Sequence, residues 1–119
     1  MWIKISYERV LNALASLGLS QTDALVYVCL ATRGPQEVVN IAQTLRIQEK
    51  QISLSLNELQ NRGIVSSAIE QTAIFSALPF EEALELLLQA HLREARDIEQ
   101  NRDEILSLWY SIVGQRTSS

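Results

Sequence analysis

A run of polar side chains near the middle of the chain has the residue types that contact base edges in a DNA groove. Glutamine matches the donor and acceptor of adenine, lysine matches O6 and N7 of guanine, and glutamate accepts from N4 of cytosine. The candidates for such contacts are Gln48, Glu49, Lys50, Gln51, Ser53, Leu54 and Ser55. The alternative for each of them is an ordinary solvated helix face. The run therefore indicates DNA recognition only if a helix presents these side chains together.

Two further side chains precede this run at positions suited to phosphate contacts. Arg46 lies in a predicted turn just before the polar run. Gln36 lies at the predicted N-terminus of the helix that precedes this turn, where backbone amides attract anions. Arg62 lies near the end of the following helix, where a cation more often stabilises the helix C-terminus. Arg46 and Gln36 complete the predicted DNA-binding set.

No other group of residues in the sequence forms a catalytic or metal site. His91 is the single histidine and has only Glu94 at helical spacing, and two ligands make a poor metal site. The single cysteine, Cys29, lies in an apolar helical run and is predicted to fill the core. The acidic residues of the C-terminal region suit a solvated helix face, and they include Glu81, Glu82, Glu85, Asp103 and Glu104. We predict a protein that is not an enzyme and uses no metal or cofactor.

The charge distribution favours weak non-specific binding to nucleic acid. The 119 residues carry a formal net charge of -4, whereas phosphate neutralisation supplies much of the affinity for DNA. Residues 1–78 contain six basic and six acidic groups, and residues 79–119 contain four basic and eight acidic groups. The N-terminal part is therefore neutral, and the acidity belongs to the C-terminal part.

Length and composition fit one domain with an appendage. A hydrophobic content of 47% is enough to bury a core. The sequence has neither a signal peptide nor an apolar stretch long enough to cross a bilayer. We expect a soluble, cytoplasmic protein without a membrane partner.

Helical periodicity and end signals place the polar run on the second helix of a helix-turn-helix. The spacing of apolar residues predicts helices over residues 7–17, 21–32, 36–44 and 48–61. Ser20 and Asp23 form a start signal similar to a capping box, and Gly63 is the expected left-handed residue after the fourth helix. Residues 64–77 alternate in the manner of a short β-hairpin, with a turn at Glu70 and Gln71.

A long helix is predicted to begin at Pro79 and to continue to residue 113, followed by a flexible tail over 114–119. Its apolar residues follow alternating spacings of four and three, which defines a heptad seam. The seam consists of Leu84, Leu88, His91, Ala95, Ile98, Arg102, Ile105, Trp109 and Ile112. A helix of about 34 residues is about 50 Å long and cannot bury itself against so small a domain. The seam therefore predicts a homodimer, and a fold-back hairpin is the alternative.

Several short motifs along residues 8–88 resemble the N-terminal domain of TrmB-type transcriptional regulators. They include Leu14–Ser20, Val26-Tyr27, Gly34-Pro35, Ile41-Ala42, Leu56–Leu59, Arg62–Val65 and Ala77–Pro79. The resemblance implies a mainly α-helical winged helix-turn-helix of four helices and a two-stranded wing. It also implies that the fourth helix enters the major groove of double-stranded DNA and that the long helix dimerises. Members carry a sugar-binding domain after that helix, and this sequence ends before one, so no small-molecule effector is evident.

The sequence departs from the family pattern at two places. Ser53 stands where members often have an aromatic residue, and the predicted wing, residues 66–76, contains no lysine or arginine. We predict a DNA-binding transcriptional regulator that acts as a homodimer. The alternative is a winged-helix module that binds another protein and has little affinity for DNA.

Overall fold

The computed structural model describes residues 2–69 and 71–117, and the chain divides into two compact units, Met1–Leu88 and Gln89–Ser119. Glu70, in the predicted hairpin turn, and Ser118 and Ser119, in the predicted tail, lie outside the described residues. The elements in order are α1 (Trp2–Ser16), α2 (Gln21–Arg33), α3 (Val38–Leu45), α4 (Glu49–Asn61), β1 (Val65–Ile69), β2 (Ala73–Ala77), α5 (Phe80–Gln100) and α6 (Arg102–Thr117). The predicted class, mainly α with four helices before a two-stranded wing, is confirmed.

The core of the first unit is formed by one apolar face from each of its helices. The fully buried side chains include Leu14 of α1, Tyr27 of α2, Ile41 of α3 and Leu56 of α4. Cys29 is also buried, as its apolar surroundings in the sequence predict. Because these residues recur at spacings of three and four, each helix presents a continuous apolar stripe to the others. This packing fixes α3 and α4 against α2.

The N-terminus of α5 also belongs to the first unit. Ala83 and Leu87 are buried in the same core, and the first helical hydrogen bond of α5 runs from Ala83 N to Pro79 O at 2.9 Å. Pro79 therefore stands just before the helix, where its missing N–H costs nothing. The compact unit extends to Leu88 and so includes the first turns of α5.

The wing is a two-stranded antiparallel sheet extended by one bridge. β1 pairs with β2 in a register that sets Val65 opposite Ala77 and Ile69 opposite Ala73. Gln36 adds an isolated bridge to Phe75, with hydrogen bonds of 3.0 Å from Gln36 N to Phe75 O and 2.8 Å from Phe75 N to Gln36 O. The loop before α3 is therefore attached to the wing.

The C-terminal helical region differs from the prediction of one helix over residues 79–113. A turn at Asn101 separates α5 from α6, and the Asn101 side-chain amide donates to Asp97 O at 2.9 Å. The backbone hydrogen bonds from Asn101 N to Asp97 O at 3.0 Å and from Ile105 N to Asn101 O at 2.9 Å are both present at this turn. The predicted tail is also wrong in part, because α6 continues through Gly114 to Thr117. Among the described residues, no helix is long and apolar enough to cross a membrane.

Candidate nucleic-acid interface

The surface of α4 opposite the core carries a line of four exposed side chains. The buried face consists of Ile52, Ser55, Leu56 and Leu59. At 100° per residue, the direction opposite that face is occupied by residues spaced at four, three and four. These are Lys50, Leu54, Asn57 and Asn61, all exposed, and we name them the outer stripe.

The outer stripe contains two of the predicted DNA contacts and two residues, Asn57 and Asn61, that were not predicted. Lys50 and Leu54 were both predicted, and Leu54 is 63% exposed. Asn57 was omitted because its position late in the helix does not by itself show which way it faces. An asparagine can pair with the N6 and N7 edge of adenine. Its spacing of seven from Lys50 is the signal that could have identified it.

Ser55 is a correction to the predicted set. Its exposed fraction is 5%, because it lies between Ile52 and Leu59 on the buried side of α4. A side chain in that position points away from any groove that the outer stripe could enter. Ser55 is therefore a core residue and not a base contact.

The other predicted contacts on this helix are exposed around its first turns. Gln48 is the residue that precedes the helix, and its side chain makes no capping hydrogen bond. Glu49, Gln51 and Ser53 are also exposed, but they flank the outer stripe rather than belong to it. The structure thus separates the predicted set into central and flanking positions.

Arg46 occupies the turn of the helix-turn-helix in a left-handed backbone conformation. Its φ and ψ angles are 58° and 44°, and it is the non-glycine residue with positive φ among those described. The turn is closed by a hydrogen bond of 3.2 Å from Ile47 N to Ala42 O. A non-glycine residue in this conformation is strained by about 1–2 kcal/mol. The exposed Arg46 side chain therefore stands at a position where glycine would be less strained.

Gln36 does not lie where the sequence analysis placed it. The helix begins two residues later, at Val38, because Gln36 is extended and paired with Phe75. Its Nε2 is 3.3 Å from Gly34 O and 3.4 Å from Cys29 O. The expected phosphate contact at a helix N-terminus therefore loses its structural basis, since this amide has partners within the protein.

Side-chain hydrogen bonds hold the C-terminal end of α4 in place. Arg62 donates from Nη2 to Gly18 O at 3.0 Å and from Nε to Glu58 Oε1 at 3.2 Å. Gln60 Nε2 donates to Ser67 Oγ at 2.9 Å. Arg62 thus joins α4 to the α1–α2 loop, and Gln60 joins it to the wing. The bond from Arg62 to Gly18 O spans 44 residues, and a rule for helix ends based on local sequence does not reveal it.

A buried tyrosine holds the segment between the wing and α5. The Tyr27 side chain is fully buried, and its hydroxyl donates to Leu78 O. Burial raises the pKa of this hydroxyl above its usual value of about 10. The neutral donor therefore persists through the physiological range and fixes where α5 begins.

The first unit also has an apolar groove that the sequence analysis did not predict. Its volume is about 900 Å³, and its lining includes Tyr7 and Val10 of α1, Val28 of α2, and Leu78 and Phe80. None of the predicted DNA contacts lines it. These residues have the types and spacing of ordinary core positions, so only their placement reveals the groove.

The predicted heptad seam is largely exposed within a single chain. Leu84 is partly buried, and every other seam residue is exposed. The large apolar ones include Ile98 at 63% and Trp109 at 56%. Large contiguous apolar patches on soluble proteins are often interaction sites.

A helix-turn-helix packed against a third helix and followed by a two-stranded wing defines the winged-helix class. Solved structures of that class share this fold. The chain is similar to TrmBL2, described as an archaeal chromatin protein with a novel mode of DNA binding, at 15% identity and a TM-score of 0.72. The match covers 96% of this chain and 44% of TrmBL2, so the chain spans less than half the length of that protein.

Two further similar structures extend the comparison. A possible transcriptional regulator from Methanosarcina mazei Go1 has 12% identity and a TM-score of 0.65, over 78% of this chain and 85% of that one. A MarR family regulator from Silicibacter pomeroyi has 19% identity and a TM-score of 0.56, over 95% and 84%. At these identities the comparisons establish the fold. No curated protein matches the chain.

The family model for the sugar-specific transcriptional regulator TrmB matches residues 14–81, which is more than half of the 119 residues. The chain therefore belongs to the TrmB family. The family and the fold are those of transcriptional regulators and not of enzymes. The resemblance inferred from sequence motifs is confirmed.

Proposed function

We propose that this protein is a transcriptional regulator that binds double-stranded DNA as a homodimer, with α4 in the major groove. The observation that carries the proposal is the outer stripe on the second helix of the helix-turn-helix. Lys50, Leu54 and Asn57 project from one exposed line, which is the arrangement that lets one helix contact successive bases. Arg46, in the turn just before α4, is exposed and supplies the positive charge for a phosphate contact in this proposal.

The exposed seam supports self-association as the second part of the proposal. Its spacing of four and three brings Ile98, Ile105 and Ile112 to one side of the helices, and these side chains are exposed in the single chain. A second copy presents the same spacing and can cover them. Two-fold symmetry then places the two α4 helices at half-sites one helical turn of DNA apart, or a multiple of it.

Dimerisation also compensates for the lack of net positive charge on each DNA-binding domain. Residues 1–78 contain as many acidic as basic groups, so a single copy gains little from phosphate neutralisation. A linked pair binds the second half-site in an intramolecular step at high effective concentration. A DNA-binding domain without net charge is therefore consistent with DNA binding by a dimer.

A gel-shift titration with a random duplex at about 50 mM salt tests DNA binding. We expect a complex at micromolar protein, because non-specific binders reach Kd values of about 10⁻⁴ to 10⁻⁶ M. Lys50→Ala should weaken that complex. Lys4→Ala is the matched control, since Lys4 is the other lysine of the chain and lies on α1. Equal weakening by the two variants would remove Lys50 from the interface.

The second candidate function is protein–protein interaction, and the wing is the observation that favours it. The wing carries no lysine or arginine, and Ile69 at the end of β1 is 80% exposed. A wing without basic side chains makes no charge-assisted contact with phosphate, and its exposed Ile69 can pack against a protein surface. The absence of any complex with duplex DNA at about 50 mM salt would favour this function.

A further inference from the structure

The outer stripe differs from the end of α4 in how its polar side chains are used. Near the end of the helix, Gln60 donates to Ser67 at 2.9 Å and Glu58 forms an ion pair, so both have partners within the protein. Among the described residues, the side chains of Lys50 and Asn57 have no hydrogen bond or ion pair of this kind. The polar groups of these two side chains are therefore available to another molecule.

An apolar side chain lies between these two polar ones. Leu54 is 63% exposed, and it is the only large hydrophobic residue exposed on α4, all of whose residues are described. A single exposed leucine is common on protein surfaces. Here it lies in line with Lys50 and Asn57, so the outer stripe presents a cation, an apolar group and an amide in that order.

Each of these three side chains matches one chemical group in the major groove. The ammonium of Lys50 donates to O6 and N7 of guanine, and the amide of Asn57 pairs with N6 and N7 of adenine. Leu54 has neither a donor nor an acceptor, and the matching apolar group in the groove is the C5 methyl of thymine. Leu54 therefore recognises a methyl group and not the hydrogen-bonding edge of a base pair.

The spacing of the outer stripe sets the order and separation of these base pairs. At about 1.5 Å per residue, Leu54 lies about 6 Å along the helix from Lys50, and Asn57 lies about 10.5 Å from it. Successive base pairs are about 3.4 Å apart. The two distances correspond to roughly two and three base steps. When α4 lies along the groove, the three contacts fall within about four consecutive base pairs.

Asn61, the fourth member of the outer stripe, lies too far along the helix to take part. It is the last residue of α4 and lies about 16 Å from Lys50, whereas a recognition helix contacts base edges with residues near its N-terminus. Arg62, the next residue, donates to Gly18 O at 3.0 Å and holds this end of α4 against the α1–α2 loop. The part of the outer stripe that contacts bases therefore ends at Asn57.

We propose that α4 recognises a half-site of about four base pairs with a defined order. The first is a G·C pair, the second is any pair, the third carries a C5-methyl pyrimidine and the fourth is an A·T pair. The proposal rests on the proposed binding of double-stranded DNA and names the sequence class of that DNA. Because Leu54 detects only the methyl group, 5-methylcytosine at the third pair satisfies this contact as thymine does.

Selection of bound duplexes from a random pool by the full chain tests the order of the half-site. We expect the recovered sequences to contain G·C, any pair and then two A·T pairs. Lys50→Ala, Leu54→Ala and Asn57→Ala should abolish the preference at the first, third and fourth pair respectively, and each should leave the other preferences intact. A wrong base at the first or fourth pair should weaken wild-type binding by about 5- to 150-fold in each half-site.

Asn61→Ala is the matched control for Asn57→Ala. Both variants remove the same amide from the same exposed line of α4, so they differ only in position along the helix. Asn61→Ala should select the wild-type half-site, and loss of the preference at the fourth pair would overturn the assignment of that contact to Asn57. Thermal unfolding by circular dichroism checks that every variant keeps the wild-type fold.

Four duplexes that differ only at the third pair test recognition of the methyl group. Their third pairs are T·A, U·A, 5-methylcytosine·G and C·G. Burial of one methyl group corresponds to about a 4-fold change in affinity. Thymine should therefore bind more tightly than uracil, and 5-methylcytosine more tightly than cytosine, by about that factor in each half-site. Leu54→Ala should lose both differences.

The outcomes separate this proposal from the one on which it rests. Bound duplexes without a common half-site, or a half-site that the three variants leave unchanged, would overturn the base contacts and retain DNA binding. If no duplex in the pool is bound, the proposed function fails and the base contacts fail with it. A preference for thymine over uracil without one for 5-methylcytosine over cytosine would overturn recognition of the methyl group alone.

Discussion

Replacement of Arg46 by glycine should weaken DNA binding without weakening the fold. Arg46 has φ 58° and ψ 44°, a conformation that costs a non-glycine residue about 1–2 kcal/mol. Glycine avoids that cost but loses about 0.5–1 kcal/mol through its greater freedom in the unfolded chain. The free energy of unfolding should therefore stay the same or rise by up to about 1.5 kcal/mol. The melting temperature should rise by at most about 6 °C.

The effect on DNA binding follows from the number of phosphates that the dimer neutralises. Without the two Arg46 side chains, a dimer neutralises two fewer phosphates. Each neutralised phosphate contributes about 0.9 to the slope of log K against log salt, so the slope should fall in magnitude by about 1.8. That change corresponds to a loss of affinity of about 200-fold at 50 mM salt and about 20-fold at 200 mM salt.

Gel-shift or anisotropy titrations between about 50 and 200 mM salt, together with thermal unfolding, measure the two effects. Arg46→Lys should retain most of the slope, because the charge is kept. Arg93→Gln removes the same charge from an exposed position on α5 and should leave the slope unchanged. An unchanged slope for Arg46→Gly would refute the phosphate contact. A drop in melting temperature of more than a few degrees would refute the argument about backbone strain.

Three further predictions concern the recognition helix and the core. Leu54 is the apolar member of the outer stripe and can contact a thymine methyl, so replacing thymine by uracil in a selected site should weaken wild type but not Leu54→Ala. Tyr27→Phe removes the donor to Leu78 O and should lower the free energy of unfolding by about 1 kcal/mol. Because the folded pKa of Tyr27 is raised, its ionisation should destabilise wild type above about pH 10, and Tyr27→Phe should lose that part of the decline. Ile41→Ala should cost about 2–5 kcal/mol, because Ile41 is fully buried beneath the helix-turn-helix.

Each of these predictions has an outcome that contradicts it. Equal sensitivity of wild type and Leu54→Ala to uracil would exclude the methyl contact, while weak binding by both to every duplex would count against DNA recognition itself. Identical denaturant midpoints for Tyr27→Phe and wild type would show that the hydroxyl adds no stability. A cost below about 1 kcal/mol for Ile41→Ala would mean that the site collapses around the smaller side chain.

The helices and the faces they bury could be predicted well, because they depend on local patterns. The apolar residues of α4 recur at spacings of three and four, and Ile52, Leu56 and Leu59 are all buried as expected. Gly63 has the expected positive φ of 81°. Such features are determined by the periodicity and the backbone preferences of a few neighbouring residues.

The predicted site was less accurate for two reasons: Ser55 belongs by helical spacing to the buried face with Ile52 and Leu59, and Gln36 is held by long-range pairing. Ser55 and Asn57 are two residues apart and both small and polar, yet Ser55 is buried and Asn57 is exposed. Gln36 was placed at a helix start, but Phe75, far along the chain, pairs with it and keeps it extended. Local sequence carries no information about which distant strand will arrive beside a loop.

The sequence by itself determined the four N-terminal helices, the hairpin and the family, since each follows from short-range spacing and motif. Only the tertiary structure decided the attachment of Gln36 to the wing and the use of Arg62 to bind the α1–α2 loop through Gly18 O. It also showed that the large apolar side chains of α6 are exposed together on and beside the seam. The physical reason is that burial and hydrogen bonding are set by residues distant in sequence, whereas helix formation is set by residues within a few positions.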